Sequence, residues 1–142
     1  MNRQPQELFF SHAHDDAEFA MRVVKTLREH GIRVWYAPHE ILGAQQWHDE
    51  IGSALVRCDW FVVLLSPRSV QSKWVKLELL YALRSDRYDD RILPLLMEDC
   101  DIDMLSWTLG GLQSVDFRTD FETASRELMR VWWGRFPDDG KQ

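Results

Sequence analysis

Apolar residues in this chain switch between two spacings, and the switching predicts the elements. Trp60–Leu65 is an unbroken apolar run rich in β-branched and aromatic residues, which is how a strand covered on both faces of a parallel sheet reads. Ser66-Pro67 ends it, because proline lacks the amide proton that a central strand must donate. Leu8–Ser11, Ile32–Tyr36 and Ile92–Met97 read as shorter strands, and Gln113–Phe117 as an edge strand. Elsewhere the apolar spacing lengthens to three and four. Phe19, Val23, Val24 and Leu27 mark a helix over Ala17–Glu29, capped by Asp15 or Asp16 and stopped by Gly31 after His30. Ile51, Ala54 and Leu55 mark a short helix over Trp47–Arg57. Ser72 stands where a helix N-cap belongs, ahead of a helix to about Arg84 that turns Val75, Leu79, Ala82 and Leu83 toward the sheet. Leu128, Val131 and Trp132 mark a closing helix over Phe121–Trp133.

Strands that alternate with helices in this way build βα units on a parallel sheet. The expected fold is an α/β flavodoxin-like three-layer sandwich, a five-stranded parallel sheet of order 2-1-3-4-5 with helices on both faces. Ala37–Gln46 is a loop, Asp86–Arg91 a charged connection, and Glu98–Gly111 an irregular acidic segment. With no repeat, linker or low-complexity tract, residues 1–142 are expected to form one domain, with its core at about 7–133.

One place in this pattern carries chemistry. On the helix after Ser72, Trp74, Glu78 and Tyr81 share one flank of the apolar stripe, and Trp74 and Glu78 are neighbours four residues apart. An aromatic ring and a carboxylate are thereby held together beyond the carboxyl end of a buried strand, the edge where open α/β sheets bind ligands. Leu77 and Leu80 fall opposite the stripe, where a helix on an isolated domain is normally polar.

Composition narrows the choice. A net charge of −6 and no Lys/Arg block argue against a nucleic-acid surface. The two cysteines, Cys58 and Cys100, form no metal or redox motif and fit free thiols in a reducing, cytoplasmic compartment. No apolar run is long enough to span a membrane, and the polar start does not read as a signal peptide. His12-Ala-His14-Asp15-Asp16 is similar to the H-x-H-x-D-H cluster of the β-lactamase-type metallohydrolases, but Ala17 stands at the final histidine position. No metal is therefore expected. A phospho-receiver would share the Asp15/Asp16 pair but needs an aspartate where this chain has Ser66. Neither a G-x-G-x-x-G nor a G-x-x-x-x-G-K-[ST] motif is present.

Four segments, F-F-S-H-A-H-D-D, G-I-R-V-W-Y-A-P-H-E-I-L-G, V-V-L-L-S-P-R-S-V-Q-S-K-W-V-K-L-E-L and R-I-L-P-L-L, come in an order and spacing that resembles a bacterial-type Toll/interleukin-1 receptor (TIR) domain. The resemblance covers Glu7 to Trp133. It implies cleavage of the nicotinamide–ribose bond of NAD+, with Glu78 as the catalytic residue and Ser11, His12, Trp35 and Trp74 as substrate-binding residues. It implies NAD+ as substrate with no further cofactor, and nicotinamide with ADP-ribose or a cyclic isomer as products. Other TIR domains are the implied partners, through the Ala37–Gln46 loop and the helix faces, with self-assembly switching on an activity used in antiphage defence. Ala37 departs from the acidic residue many bacterial members carry there, and Ala13 and His14 from the basic residues of animal members. The alternative that the same resemblance implies is a non-catalytic scaffold for homotypic TIR interaction.

Overall fold

The computed structural model describes residues 4–36 and 44–133, with the backbone alone for 44–48. A five-stranded, all-parallel sheet has the order β2-β1-β3-β4-β5, as expected. Its strands are β1 (Leu8–Ser11), β2 (Val34–Tyr36), β3 (Trp60–Leu65), β4 (Ile92–Leu96) and β5 (Val115–Asp116). The central strand β3 is buried along its whole length. Phe10 of β1 lies beside Val62, and Val62 beside Leu93 of β4.

Among the described residues four α-helices cover the two faces: α1 (Ala17–Glu29), α2 (Ala44–Arg57), α3 (Lys73–Arg84) and α4 (Phe121–Trp133). Side chains alternate across a strand, and the two cores follow. Phe10, Val62 and Leu64 pack with Val23, Val24 and Leu27 of α1 and with Leu128 and Met129 of α4. Phe9, Phe61, Val63 and Leu65 pack with Ile51, Ala54 and Leu55 of α2 and with Val75, Leu79 and Ala82 of α3. Phe61 stacks on Phe9 at 5.4 Å and meets Tyr88 edge-on at 6.1 Å. Among the described residues no helix is long and apolar enough to cross a membrane.

Element ends differ from the pattern where side chains give no signal. β2 starts at Val34 rather than Ile32, and β5 is two residues rather than five. α2 begins at Ala44, so the last residues assigned to the Ala37–Gln46 loop are helical, and the rest of that loop lies outside the described residues. Part of the acidic segment after β4 folds as 3₁₀ turns at Ile102–Met104 and Trp107–Gly111. Gly31, at φ +83°, ends α1 in the left-handed region that glycine tolerates best.

The expected cap of α3 is present. The Ser72 hydroxyl accepts from the Val75 amide at 3.2 Å. Ser72→Ala is expected to cost about 1 kcal/mol, read as a lower urea midpoint with an unchanged slope. The cap expected for α1 is not made. Asp16 occupies the N-cap position but bonds no backbone amide of the helix. Its carboxylate is drawn instead to Ser66 and Arg68, in the segment that leaves β3.

Candidate functional site

β1 and β3 are neighbours, yet β1 leads into α1 on one face and β3 into α3 on the other. The loops leaving their carboxyl ends diverge, and the crevice between such loops is the usual ligand position in an open α/β sheet. The polar residues of interest gather there.

Glu78 sits in the second turn of α3, on the side turned to the sheet with Val75, Leu79 and Ala82. It is only 2 % exposed. Ser11, at the end of β1, donates its hydroxyl to Glu78 Oε1 at 2.7 Å. Glu78 Oε2 is buried with no hydrogen-bond partner among the described residues. Burial away from water disfavours the charged form and pushes this carboxyl up to about 8, against the opposing pull of the Ser11 bond. A buried carboxylate oxygen without a donor is costly and is a common mark of a functional position.

Trp35 of β2 pairs with Phe9 of β1, and the two rings meet tilted, with centroids 4.9 Å apart. Trp35 and Trp74 both pack, half-buried, against the core on the α2/α3 face. The fold thus gathers Ser11, Trp35, Trp74 and Glu78 on one side of the sheet. His12 is separated from them. The residue after Ser11 in an extended chain points the other way, and the His12 ring lies 6.2 Å from Phe10 and 5.7 Å from Tyr36, toward the α1/α4 face. Tyr81, on the same helical flank as Glu78 in the sequence pattern, is instead exposed.

A second polar cluster joins the segments leaving β1 and β3. Asp16, 2 % exposed, accepts from the Ser66 hydroxyl and from Arg68 Nε. Arg68 uses its NH2 group to reach Glu98, just beyond β4. Ser66 and Ser69 lock the turn after β3: the Ser66 amide donates to Ser69 Oγ at 2.9 Å, and the Ser69 amide to Ser66 Oγ at 3.1 Å. The sequence pattern offered Asp15 or Asp16 as a helix cap, read Ser66 only as the end of the strand, and drew no role for Arg68. Its one available signal was the Ser-x-x-Ser spacing directly after a buried strand. Among the described residues no group of three or more His, Cys, Asp or Glu could hold a metal ion.

Residues 8–129 match a family model described as the TIR domain. The chain belongs to the TIR domain family. This TIR chain is 31 % identical over 74 residues to the NAD(+) hydrolase TcpA of Theionarchaea archaeon (strain DG-70-1), covering 51 % of the chain and 22 % of that protein. It is 30 % identical over 74 residues to the 2′ cyclic ADP-D-ribose synthase BtTIR of Bacteroides thetaiotaomicron, covering 51 % of the chain and 26 % of that protein. It spans only about a quarter of the length of these curated relatives, by those shares of 22 % and 26 %. In three dimensions it is similar to a metazoan TIR-STING receptor from C. gigas, with a TM-score of 0.70 and 23 % identity over 88 % of this chain and 39 % of that one. That likeness is one of fold.

Proposed function

We propose that this TIR chain cleaves the nicotinamide–ribose bond of NAD+, giving nicotinamide and ADP-ribose or a cyclic ADP-ribose isomer. The observation that carries the reading is the Glu78 carboxyl, buried at the crevice with one oxygen on Ser11 and the other without a donor. The names of the two relatives, an NAD(+) hydrolase and a cyclic ADP-D-ribose synthase, support it.

The chemistry asks for little more than that carboxylate. The C1′–N bond breaks with its electron pair going to the pyridinium nitrogen, so nicotinamide leaves neutral and needs no general acid. The ribosyl carbon left behind has oxocarbenium character, and Glu78 as a carboxylate stabilises it. The cationic pyridinium, brought beside the buried group, itself favours the charged form of Glu78. Ser11 holds Oε1, so Oε2 is the oxygen available to the ribose. The indoles of Trp35 and Trp74 offer faces on which a cationic ring can stack. The ribosyl centre is then captured by water, which loses a proton, or by a nucleophile within the same ADP-ribose, which closes a ring. NAD+ is the substrate and no separate cofactor takes part. His12, turned toward Tyr36, contributes through the loop after β1 rather than beside Glu78. We assign the chain as one TIR module acting in the cytoplasm in antiphage defence, through NAD+ depletion or a nucleotide signal.

Assembly with further TIR copies, through the helix faces and the segment following β2, gates the activity in this reading. Leu77, Leu80 and Tyr81 on the outer side of α3 are 44 %, 39 % and 42 % exposed, and with Arg84 and Ser85 they line a shallow depression. Contiguous exposed apolar surface of this kind marks interaction sites. The same surface favours the second reading, a non-catalytic scaffold that recruits TIR domains.

Nicotinamide release from NAD+, followed over a range of protein concentrations, tests the proposal. The expected rate rises faster than linearly with protein. In Leu77→Lys with Leu80→Lys the specific activity at the highest concentration is expected to fall to the value at the lowest, roughly tenfold, with the fold intact by circular dichroism. No release at any concentration would leave the scaffold reading standing.

A further inference from the structure

The Asp16–Ser66–Arg68–Glu98 cluster is larger than a fastening of two loops requires. Asp16 belongs to the segment leaving β1, and Ser66 and Arg68 to the segment leaving β3. The cluster therefore bridges the two diverging loops at the switch point of the sheet, the place where open α/β folds bind the phosphates of nucleotide ligands. Its members differ sharply in environment. The Asp16 side chain is 1 % exposed, that of Arg68 is 37 % exposed, and that of Glu98 is 46 % exposed.

This gradient separates the two carboxylates by role. Asp16 is fixed, since it also accepts from Ser66, whose hydroxyl in turn receives the amides of Arg68 at 3.2 Å and Ser69 at 3.1 Å. Its bond to Nε sets the plane of the guanidinium and leaves the terminal nitrogens facing outward. Glu98 engages one of those nitrogens from solvent, and an exposed ion pair of this kind is worth little. It is an anion already seated at the outward fork of an arginine, and a phosphate oxygen fits the same fork with equal or better geometry.

We propose that Arg68 binds the diphosphate of a dinucleotide, with Asp16 orienting its guanidinium and Glu98 occupying the anion position until the ligand displaces it. In this assignment Glu78 on α3 serves the nicotinamide ribose, and Arg68 in the segment leaving β3 serves the phosphates. The identity of the ligand as NAD+ rests on the function proposed above; recognition of a diphosphate does not.

Calorimetric titration of the purified chain with ADP, and with adenosine as the phosphate-free control, tests it without requiring turnover. Glu98→Ala is expected to bind ADP about threefold to tenfold more tightly, since the competing anion is gone, and Arg68→Gln about tenfold more weakly. Adenosine binding is expected to stay the same in both. An Arg68→Gln that weakens ADP and adenosine alike, or a Glu98→Ala that leaves ADP binding unchanged or weaker, overturns the proposal. If Arg68→Gln does not fold, Glu98→Ala decides alone, because it leaves the Asp16–Arg68 contact in place. Nicotinamide release that persists while ADP binding ignores Glu98 would remove this inference and spare the enzyme reading. ADP binding that responds as expected, without any release, would do the reverse.

Discussion

Glu78→Gln is expected to lower nicotinamide release from NAD+ by about 10³-fold or more, the loss typical when one preorganised group facing developing charge is removed. Glutamine has the shape of the carboxyl and can still accept from Ser11, so the wall of the crevice is preserved. What it lacks is the ability to carry negative charge opposite the ribosyl cation. The loss is therefore expected mainly in kcat, because the ribosyl charge develops only in the transition state, with a smaller rise in KM from the lost attraction to the cationic pyridinium. A variant that keeps its rate would return Glu78 to the role of a buried structural acid, and the chain to that of a scaffold. The wild-type pH profile checks the same group. A carboxyl held at about 8 is neutral below that value, so kcat/KM for NAD+ should climb as pH rises through 7 to 8 and then level off.

The second large effect is on stability, and its sign runs against the usual carboxylate. The Glu78 carboxyl is raised from an ordinary 4.5 to about 8 in the folded protein, by burial first and despite the Ser11 bond. Between those two values the native state holds a proton that the unfolded chain has released. The contribution of this group to stability is therefore whole below about pH 4.5 and is lost as pH rises through 8. Glu78→Gln removes the dependence. Thermal melts of wild type and variant are expected to diverge with rising pH, until at pH 8.5 the variant is more stable by on the order of 2 kcal/mol or more, some 5 °C for a domain of this size. Groups elsewhere that titrate in the same range cancel in that difference. Parallel melting curves from pH 5 to 8.5 would mean that Glu78 is hydrated in solution and holds no proton there.

The two effects have one origin. In the proposed function, stability lost to a buried, under-bonded carboxyl is the expected cost of holding it dry where the ribosyl charge would develop. Ser11 moderates that cost through one oxygen only. The other is buried with no hydrogen-bond partner among the described residues.

Much of the frame was legible in residue order. The apolar run Trp60–Leu65 defined the central strand, and the three- and four-residue spacings defined α1, α3 and α4 with the bounds the structure has. Ser72 announced its cap through a local hydrogen bond. Parallel topology followed from alternation of the elements, and the four TIR-like segments pointed to Glu78 and its neighbours. Local chemistry suffices for such features, because each is decided within a few residues along the chain.

Contacts across the sheet were not legible in that way. The helical pattern put Glu78 and Tyr81 on one flank, yet Glu78 is buried and Tyr81 exposed. Glu78 there meets Ser11, brought from 67 residues away to the carboxyl edge. Alternation along β1 likewise sent His12 to the far face, away from the group that the resemblance had assembled. Asp16 stands where a cap belongs, and the sequence alone offered it, or Asp15, as one. Only the folded chain set Ser66 and Arg68, 50 and 52 residues away, within reach of its carboxylate. There a charge-assisted bond to arginine outcompetes a backbone amide. The sequence by itself determined which elements form and in what order they follow along the chain; the strand order 2-1-3-4-5 suited that alternation and was fixed by the fold. The tertiary structure decided which polar groups lose water and whom they then must bond, because burial and partner are properties of distance in space.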